Sequence, residues 1–387
     1  MSRVDRYRKQ KQKKMITVAG SAFISILLFS LLFFTARNDE PTSLSTTNNS
    51  SSNAPLIEDA PDDDLIETPE REPFTLAFAG DTMFDWDLRP VLDAKGYHYP
   101  FHYVQDEFKE ADYSVLNLET AITERTKQTP GQLFWIKSEV ASLPALTESG
   151  IDLVTLSNNH VLDYGEEGLL DTLNALDEHE LAYIGAGRNT KEAYEAEVIE
   201  LNDQTIAFVS FSRFFPDSNW VAGPDKPGVT NGYDLDHVID VLQQMHSEYK
   251  PDYLISFFHW GVEQTYTPAK YQFEYVERIA NETETTAIIG THPHWLQGFH
   301  YQENVFVAYS LGNFLFPDYV SGPSAETGVL HLTFDGEGNM SAQFSPYIIQ
   351  DNQIVPLEGK SKESMYRYLE DISINVVLDQ EGRIVRE

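Results

Sequence analysis

The sequence predicts an α/β fold with mixed sheets, preceded by one N-terminal transmembrane helix. Three observations carry that prediction. From Phe74 onward, short apolar runs alternate with amphipathic segments, as strands and helices in packed layers do. Val198 to Phe211 reads as two strands turning at Asn202 and Asp203, so an antiparallel pair joins the parallel crossovers. Met15 to Ala36 holds no charged residue over 22 positions, roughly 33 Å as a helix.

Taken in order, residues 1–14 form a basic tail. Seven Lys and Arg against Asp5 give it a charge of +6. A positive flank before an apolar span keeps the N-terminus cytoplasmic and sends the rest outside. A cleaved signal peptide is the rival. It needs small residues at two positions near the cut; Ala36 is one, but Phe34 fills the other. An uncleaved signal-anchor over 15–36 is therefore the expectation. Residues 37–72 are a linker rich in Ser, Thr, Asn and Asp, unable to form a core.

The main domain is expected over 73–320. Strands are predicted at Phe74–Ala79, Tyr113–Leu116, Leu153–Ser157, Ala182–Gly185, Ile206–Phe211, Tyr253–Phe258, Ala287–Ile289 and Val305–Tyr309. Helices are predicted at Ser138–Ser149, Glu166–His179, Leu235–Tyr249 and Pro268–Asn281. The last starts with proline at its first position behind Thr267. A C-terminal part, 321–387, adds strands at Val329–Phe334 and Ser341–Ile348, a helix at Glu363–Ile372 and a hairpin over Asn375–Val385.

Composition narrows the function. With 387 residues, 41% hydrophobic, the chain can bury a large core. It has no cysteine, which excludes disulfides, thiolate metal sites and thiol nucleophiles. Net charge is −34, so everything after the basic tail carries about −40. Such a surface repels nucleic acid, and none is expected as a partner.

Polar groups collect just past the predicted strand ends, where α/β sheets bind ligands. Asp81, after Gly80, offers a hard oxygen ligand or caps the next segment. Glu119 coordinates or bridges metals, or is an exposed loop charge. Asn158, Asn159 and His160 cut off the third strand. They supply a metal ligand and a group aimed at substrate, or else a turn and a buried ring; Asp163 is placed to fix the His160 tautomer. His259 follows a buried run and is ligand or structural. His292 and His294, one residue apart around Pro293, can both reach a metal ion. Ser310 to Phe314 is a backbone amide pocket or an ordinary strand-ending turn. Oxygen and nitrogen donors without sulfur suit a two-metal hydrolytic centre.

These motifs together resemble the CapA family of capsule and poly-γ-glutamate synthesis proteins, within the calcineurin-like metallophosphatase superfamily. The segments that match are Gly80-Asp81-Thr82-Met83, Asn117-Leu118-Glu119, and Asn158-Asn159-His160 with Asp163, Tyr164 and Gly165. Then come His259-Trp260-Gly261 with Glu263, Pro268 and Gln272; Gly290-Thr291-His292-Pro293-His294 with Gln297; and Tyr309 to Phe314. Six ordered motifs are a specific signal.

The resemblance implies a four-layer α-β-β-α sandwich with a site at one rim. It implies Asp81, Glu119, Asn159, His259, His292 and His294 as ligands for one or two divalent ions, Mn, Zn or Fe. It makes His160 the candidate general acid, with Asn158, Trp260, Glu263, Gln297 and Asn313 lining the site. It implies a membrane-anchored, outward-facing protein beside the poly-γ-glutamate synthase membrane components, meeting the anionic polymer through bridging cations. An exported phosphoesterase unrelated to capsule, or a silent binding module, are the alternatives. Two positions depart from the superfamily pattern: Met83 stands where a histidine ligand is expected, and Glu119 where an aspartate bridges.

Overall fold

The computed structural model describes residues 71–317 and 320–387. The expected tail, anchor and nearly all of the linker lie outside them. Among the described residues, no helix is long and apolar enough to cross a membrane.

The first sheet has a parallel core. Strands β1 (Phe74–Thr82), β2 (Tyr113–Leu118), β3 (Leu153–Thr155) and β4 (Ala182–Ile184) lie side by side in that order. The second sheet is built from β5 (Glu197–Leu201), β6 (Gln204–Ser212), β7 (Tyr253–His259), β8 (Thr285–Thr291), β9 (Leu296–Gln302) and β10 (Val305–Leu311). Its spatial order is β9-β10-β8-β7-β6-β5, with the antiparallel β5 and β9 on the two edges. Asn202 and Asp203 both have positive φ, 48° and 61°, which the tight turn between β5 and β6 demands.

The chain then returns to the first sheet. β11 (Asn313–Leu315) pairs with the end of β1, and β12 (Glu326–Phe334) runs antiparallel along its start. β13 (Met340–Gln350), β14 (Gln353–Pro356), β15 (Val376–Leu378) and β16 (Arg383–Arg386) extend it outward. The strands of residues 321–387 thus belong to the same sheet as β1.

Side-chain alternation decides which face packs where. Phe74 and Phe78 of β1 meet Tyr253 and Phe257 of β7 at 5.9 and 5.8 Å between ring centroids, and Tyr113 meets Phe208 at 5.5 Å. These rings hold the sheets face to face, each buried phenylalanine contributing about 1.5–3 kcal/mol. The alternate residues Ala77 and Ala79 face outward. There they pack under α1 (Arg89–Lys95), α2 (Gln105–Glu110), α3 (Leu143–Glu148) and α4 (Gly165–Glu178). On the far side α5 (Leu235–Tyr249) and α6 (Lys270–Glu282) cover β6, β7, β8 and β10. The layers run α-β-β-α.

Several elements differ from expectation. The helix predicted at Ser138 starts only at Leu143, after a 3-10 turn, because Pro144 is tolerated only in a helix's first turn. The helix predicted from Pro268 starts at Lys270. The Ala269 N–H donates to Gln272 Oε1 at 2.7 Å, which satisfies the end of α6 without a hydroxyl cap. β9 escaped prediction because Leu296–Gln302 has no apolar run. Gly298 breaks it, and a Cβ there would lie 2.1 Å from the Ile372 carbonyl. α1 and α2 are too short to show a helical period.

Candidate metal centre

The carboxyl ends of β1, β2 and β3 in one sheet meet those of β7 and β8 in the other. Two glycines bring the backbones close enough. A Cβ on Gly80 would sit 2.0 Å from the Gly312 carbonyl, and one on Gly290 2.0 Å from the Tyr309 carbonyl. The glycines just before Asp81 and Thr291 are therefore fixed by packing.

Asp81 is fully buried. Its Oδ1 accepts from Asn117 Nδ2 at 2.7 Å and its Oδ2 from the His292 backbone N–H at 3.2 Å. It is not a cap. Glu119 is 0% exposed rather than an exposed loop charge, and among the described residues neither of its carboxylate oxygens has a hydrogen-bond partner. An ionised carboxylate in that state is very costly unless a cation answers it. Burial first, then the charges of Asp81 and Glu263, push its pKa well above the usual carboxylate range.

The histidines complete the arrangement. His259 Nε2 lies 2.6 Å from Asn159 Oδ1, 3.1 Å from His292 Nδ1 and 3.5 Å from Glu119 Oε1. One proton cannot serve all of these lone pairs, whereas a shared cation can. Burial, then neighbouring histidines, holds His259 and His292 well below the usual imidazole range, which favours the neutral form that a metal ligand needs. His259 Nδ1 sits 3.1 Å from Thr291 Oγ1, which orients the ring. His292 Nε2, also buried, has no hydrogen-bond partner among the described residues. His294 sits 3.3 Å from Asp81 Oδ2 and 2.8 Å from Asn313 Oδ1. Burial works against its charge, but Asp81, Glu263 and Asn313 outweigh it and raise its pKa. His292 and His294 have φ of 97° and 57°, left-handed backbone that costs a non-glycine residue roughly 1–3 kcal/mol.

Three overlapping trios can each hold an ion: Glu119, His259 and His292; Asp81, Glu119 and His294; Glu263, His292 and His294. The ligand atoms within each trio lie within 4.8 Å of one another. Glu119 is shared by two trios, as a bridging carboxylate would be. The residues fit a divalent cation.

His160 stands beside this cluster. Its Nδ1 is 2.7 Å from Asp163 Oδ2. Asp163 also accepts from Gln132 Nε2 and the Ile136 N–H, both at 2.7 Å. Burial raises the Asp163 pKa, and these partners with His160 offset part of the rise. The pair fixes the ring with Nε2 left to move a proton.

Other expected lining residues take supporting places. Asn158 stitches the loop, accepting from the His160 and Val161 N–H groups and donating to Asn117 Oδ1 and the Leu118 carbonyl. Gln297 is buried and donates to the Thr265 carbonyl at 2.9 Å, anchoring the loop that carries exposed Glu263. Trp260 does not line the site. One residue beyond His259, it faces the opposite side of β7, packs with Phe258 and Tyr275, and donates to the Tyr309 carbonyl. Ser310 to Phe314 forms no open amide pocket, since the Gly312 N–H is engaged by Ser310 Oγ and its carbonyl by the Asp81 N–H. Met83 packs with Ile136, Phe316, Ala325 and Ile349, in a small apolar cluster.

Sequence reasoning gave no role to Asn117, Thr291, Gln132 or Phe214. Asn117 carried a signal: it is an amide in a strand otherwise buried and mostly apolar. Gln132 donates to the Asn159 carbonyl at 2.7 Å as well as to Asp163. The Phe214 ring lies 4.1 Å from that of His292. Both come from loops that no periodicity marks.

Comparison with known proteins agrees in extent with the matched motifs. Residues 75–318 match the family model described as bacterial capsule synthesis protein PGA_cap. The capsule biosynthesis protein CapA of Bacillus anthracis is 27% identical over 314 residues, 79% of this chain and 74% of that protein. The PGA biosynthesis protein CapA of Bacillus subtilis (strain 168) is 28% identical over 302 residues, 76% and 77% of the two chains. Among solved structures, the calcineurin-like phosphoesterase YfkN from Bacillus subtilis aligns over 78% of this chain and 97% of that chain, with 14% identity and a TM-score of 0.41.

Proposed function

This chain belongs to the PGA_cap family of bacterial capsule synthesis proteins, and from that premise we propose that it is a component of poly-γ-glutamate capsule synthesis with a metal-dependent, metallophosphatase-like hydrolytic site. The observation that carries the site is Glu119, fully buried, with both oxygens unpartnered beside His259 and His292. The names of the two Bacillus relatives support the capsule setting. The uncharged stretch over 15–36 behind a basic tail supports a membrane anchor with the folded domain outside.

Glu119, Asn159, His259 and His292 would hold one divalent ion; Asp81, Glu119 and His294 would hold a second. Met83 adds no ligand to the second set, which makes it the weaker one. Such an ion lowers the pKa of bound water and polarises a phosphoryl or carbonyl oxygen. The chain supplies the rest. Thr291 and Asn313 orient the ligand rings, and His160, steadied by Asp163, moves a proton at Nε2. The same site supports a second reading, a phosphoesterase with a substrate outside capsule synthesis.

The test uses the full-length chain loaded with manganese or zinc and then dialysed. Wild type retains metal and hydrolyses a generic phosphodiester. His292→Ala loses both, and an exposed control, Glu363→Ala, keeps both. Wild type that retains no metal would sink the hydrolytic reading. In cells, a deletion strain loses its surface polymer and regains it with wild type but not with His292→Ala. Unchanged polymer in the deletion strain would leave the phosphoesterase reading.

A further inference from the structure

A second feature opens beside the metal centre. The turn after β6 carries Arg213 and Phe214 in succession. Phe214 packs on His292, while the Arg213 backbone N–H donates to the His259 carbonyl at 2.8 Å. The Arg213 side chain lines a cavity of about 520 Å³ walled by Tyr233, Tyr271 and Tyr275. Its guanidinium lies 3.5 Å from the Tyr271 ring centroid, 5.1 Å from that of Tyr233 and 5.3 Å from that of Tyr275. Nε donates to Tyr275 Oη at 3.1 Å. The guanidinium makes no ion pair among the described residues.

Among the described arginines only Arg213, Arg367 and Arg386 pair with no carboxylate, and the last two are exposed. Arg71, Arg89, Arg125, Arg188, Arg278 and Arg383 each pair with a carboxylate. Acids outnumber Lys and Arg by 61 to 27. An arginine held half-buried over a tyrosine face, without an acid, is a preformed site for a carboxylate from outside. Of the lining acids, Asp234 caps α5 and Asp236 is paired with Arg278. Glu274 lines the cavity without an ion pair among the described residues. The opposing charges of Asp234 and Glu274 favour a singly charged carboxylate over a phosphate dianion.

We propose that the Arg213 cavity grips an α-carboxylate of a γ-linked glutamate chain whose neighbouring segment lies at the metal centre. This rests on the polyglutamate reading above and names where the polymer is held. The tyrosine faces suit the two methylenes of each γ-linked unit. The site also answers the charge problem: a chain this acidic needs one local cation to hold an acidic polymer.

The test is calorimetric titration of the full-length chain with γ-linked decaglutamate, α-linked decaglutamate and inorganic phosphate. Wild type binds the γ-linked probe saturably, more tightly than either other ligand. Arg213→Gln weakens binding about tenfold or more, and Arg213→Lys restores part of it. An exposed control, Glu363→Ala, keeps wild-type binding. Binding unchanged in both Arg213 variants, no binding by wild type, or phosphate bound as tightly as the peptide would each overturn the proposal. Arg213-dependent binding by wild type that retains no metal would support it while ending the hydrolytic reading.

Discussion

The two ends of the parallel strands use acids in opposite ways. At their amino ends an aspartate precedes each of three strands and is answered by the neighbouring backbone. Asp112 accepts the Thr75 N–H at 2.9 Å, Asp152 the Ser114 N–H at 2.9 Å, and Asp252 the Thr205 N–H at 2.8 Å. At the carboxyl ends Asp81 and Glu119 are fully buried, and among the described residues no hydrogen bond reaches Glu119, with His259 Nε2 standing 3.5 Å away. The amino-end acids hold strands together. The carboxyl-end acids are a liability for folding that a bound cation would remove. The same residue type is structural or functional according to whether the fold completes its hydrogen bonds.

The largest expected effect separates chemistry from architecture at the carboxyl end. His160→Gln lowers kcat about 10²–10⁴-fold while metal content stays at the wild-type level. Turnover and bound metal are measured on the same samples. Metal lost together with activity would make His160 part of the ligand set instead.

A middle-sized effect tests the liability itself. In chelator-treated protein, Glu119→Gln is more stable than wild type at neutral pH by about 1–3 kcal/mol. The sign follows from the raised pKa: the folded state keeps a proton that the unfolded chain releases near the ordinary value of 4.5. Wild-type stability is therefore lost as pH rises from about 4.5 toward the raised folded value, and the gap to the variant widens over that window. His259 and His292 act in the opposite direction, losing stability as pH falls below 6.5, and the comparison with the variant subtracts them. Urea unfolding at several pH values reads the gap. A gap that stays flat would mean that Glu119 is not a buried unpaired charge.

The smallest effect belongs to the amino end. Asp112→Ala costs about 1 kcal/mol, through the lost acceptor for Thr75, and leaves metal content unchanged. A change in metal content would erase the distinction between the two ends.

Most of the strand system and of the buried polar cluster at the strand ends was legible in the chain. Strands show as apolar runs, and the histidines and carboxylates that stop those runs mark their carboxyl ends. That is why Asp81, Glu119, Asn159, His259, His292 and His294 stand out before any fold is known. β9 did not stand out, because Gly298 and polar neighbours interrupt its pattern. Trp260 was drawn into the site by adjacency to His259, although strand alternation turns it away. Gln132 and Phe214 reach the site from loops, whose positions no local pattern encodes.

The sequence by itself determined the layered α/β class, the acidic character and which residue types end each strand, because these depend on local periodicity and composition. Only the tertiary structure decided which ends meet. It packed two sheets so that β1–β3 and β7–β8 open on one rim, left Glu119 and His292 Nε2 without hydrogen bonds among the described residues, and put Arg213 over tyrosine with no acid paired to it. Those outcomes depend on contacts between residues far apart in the chain, and no local pattern records them.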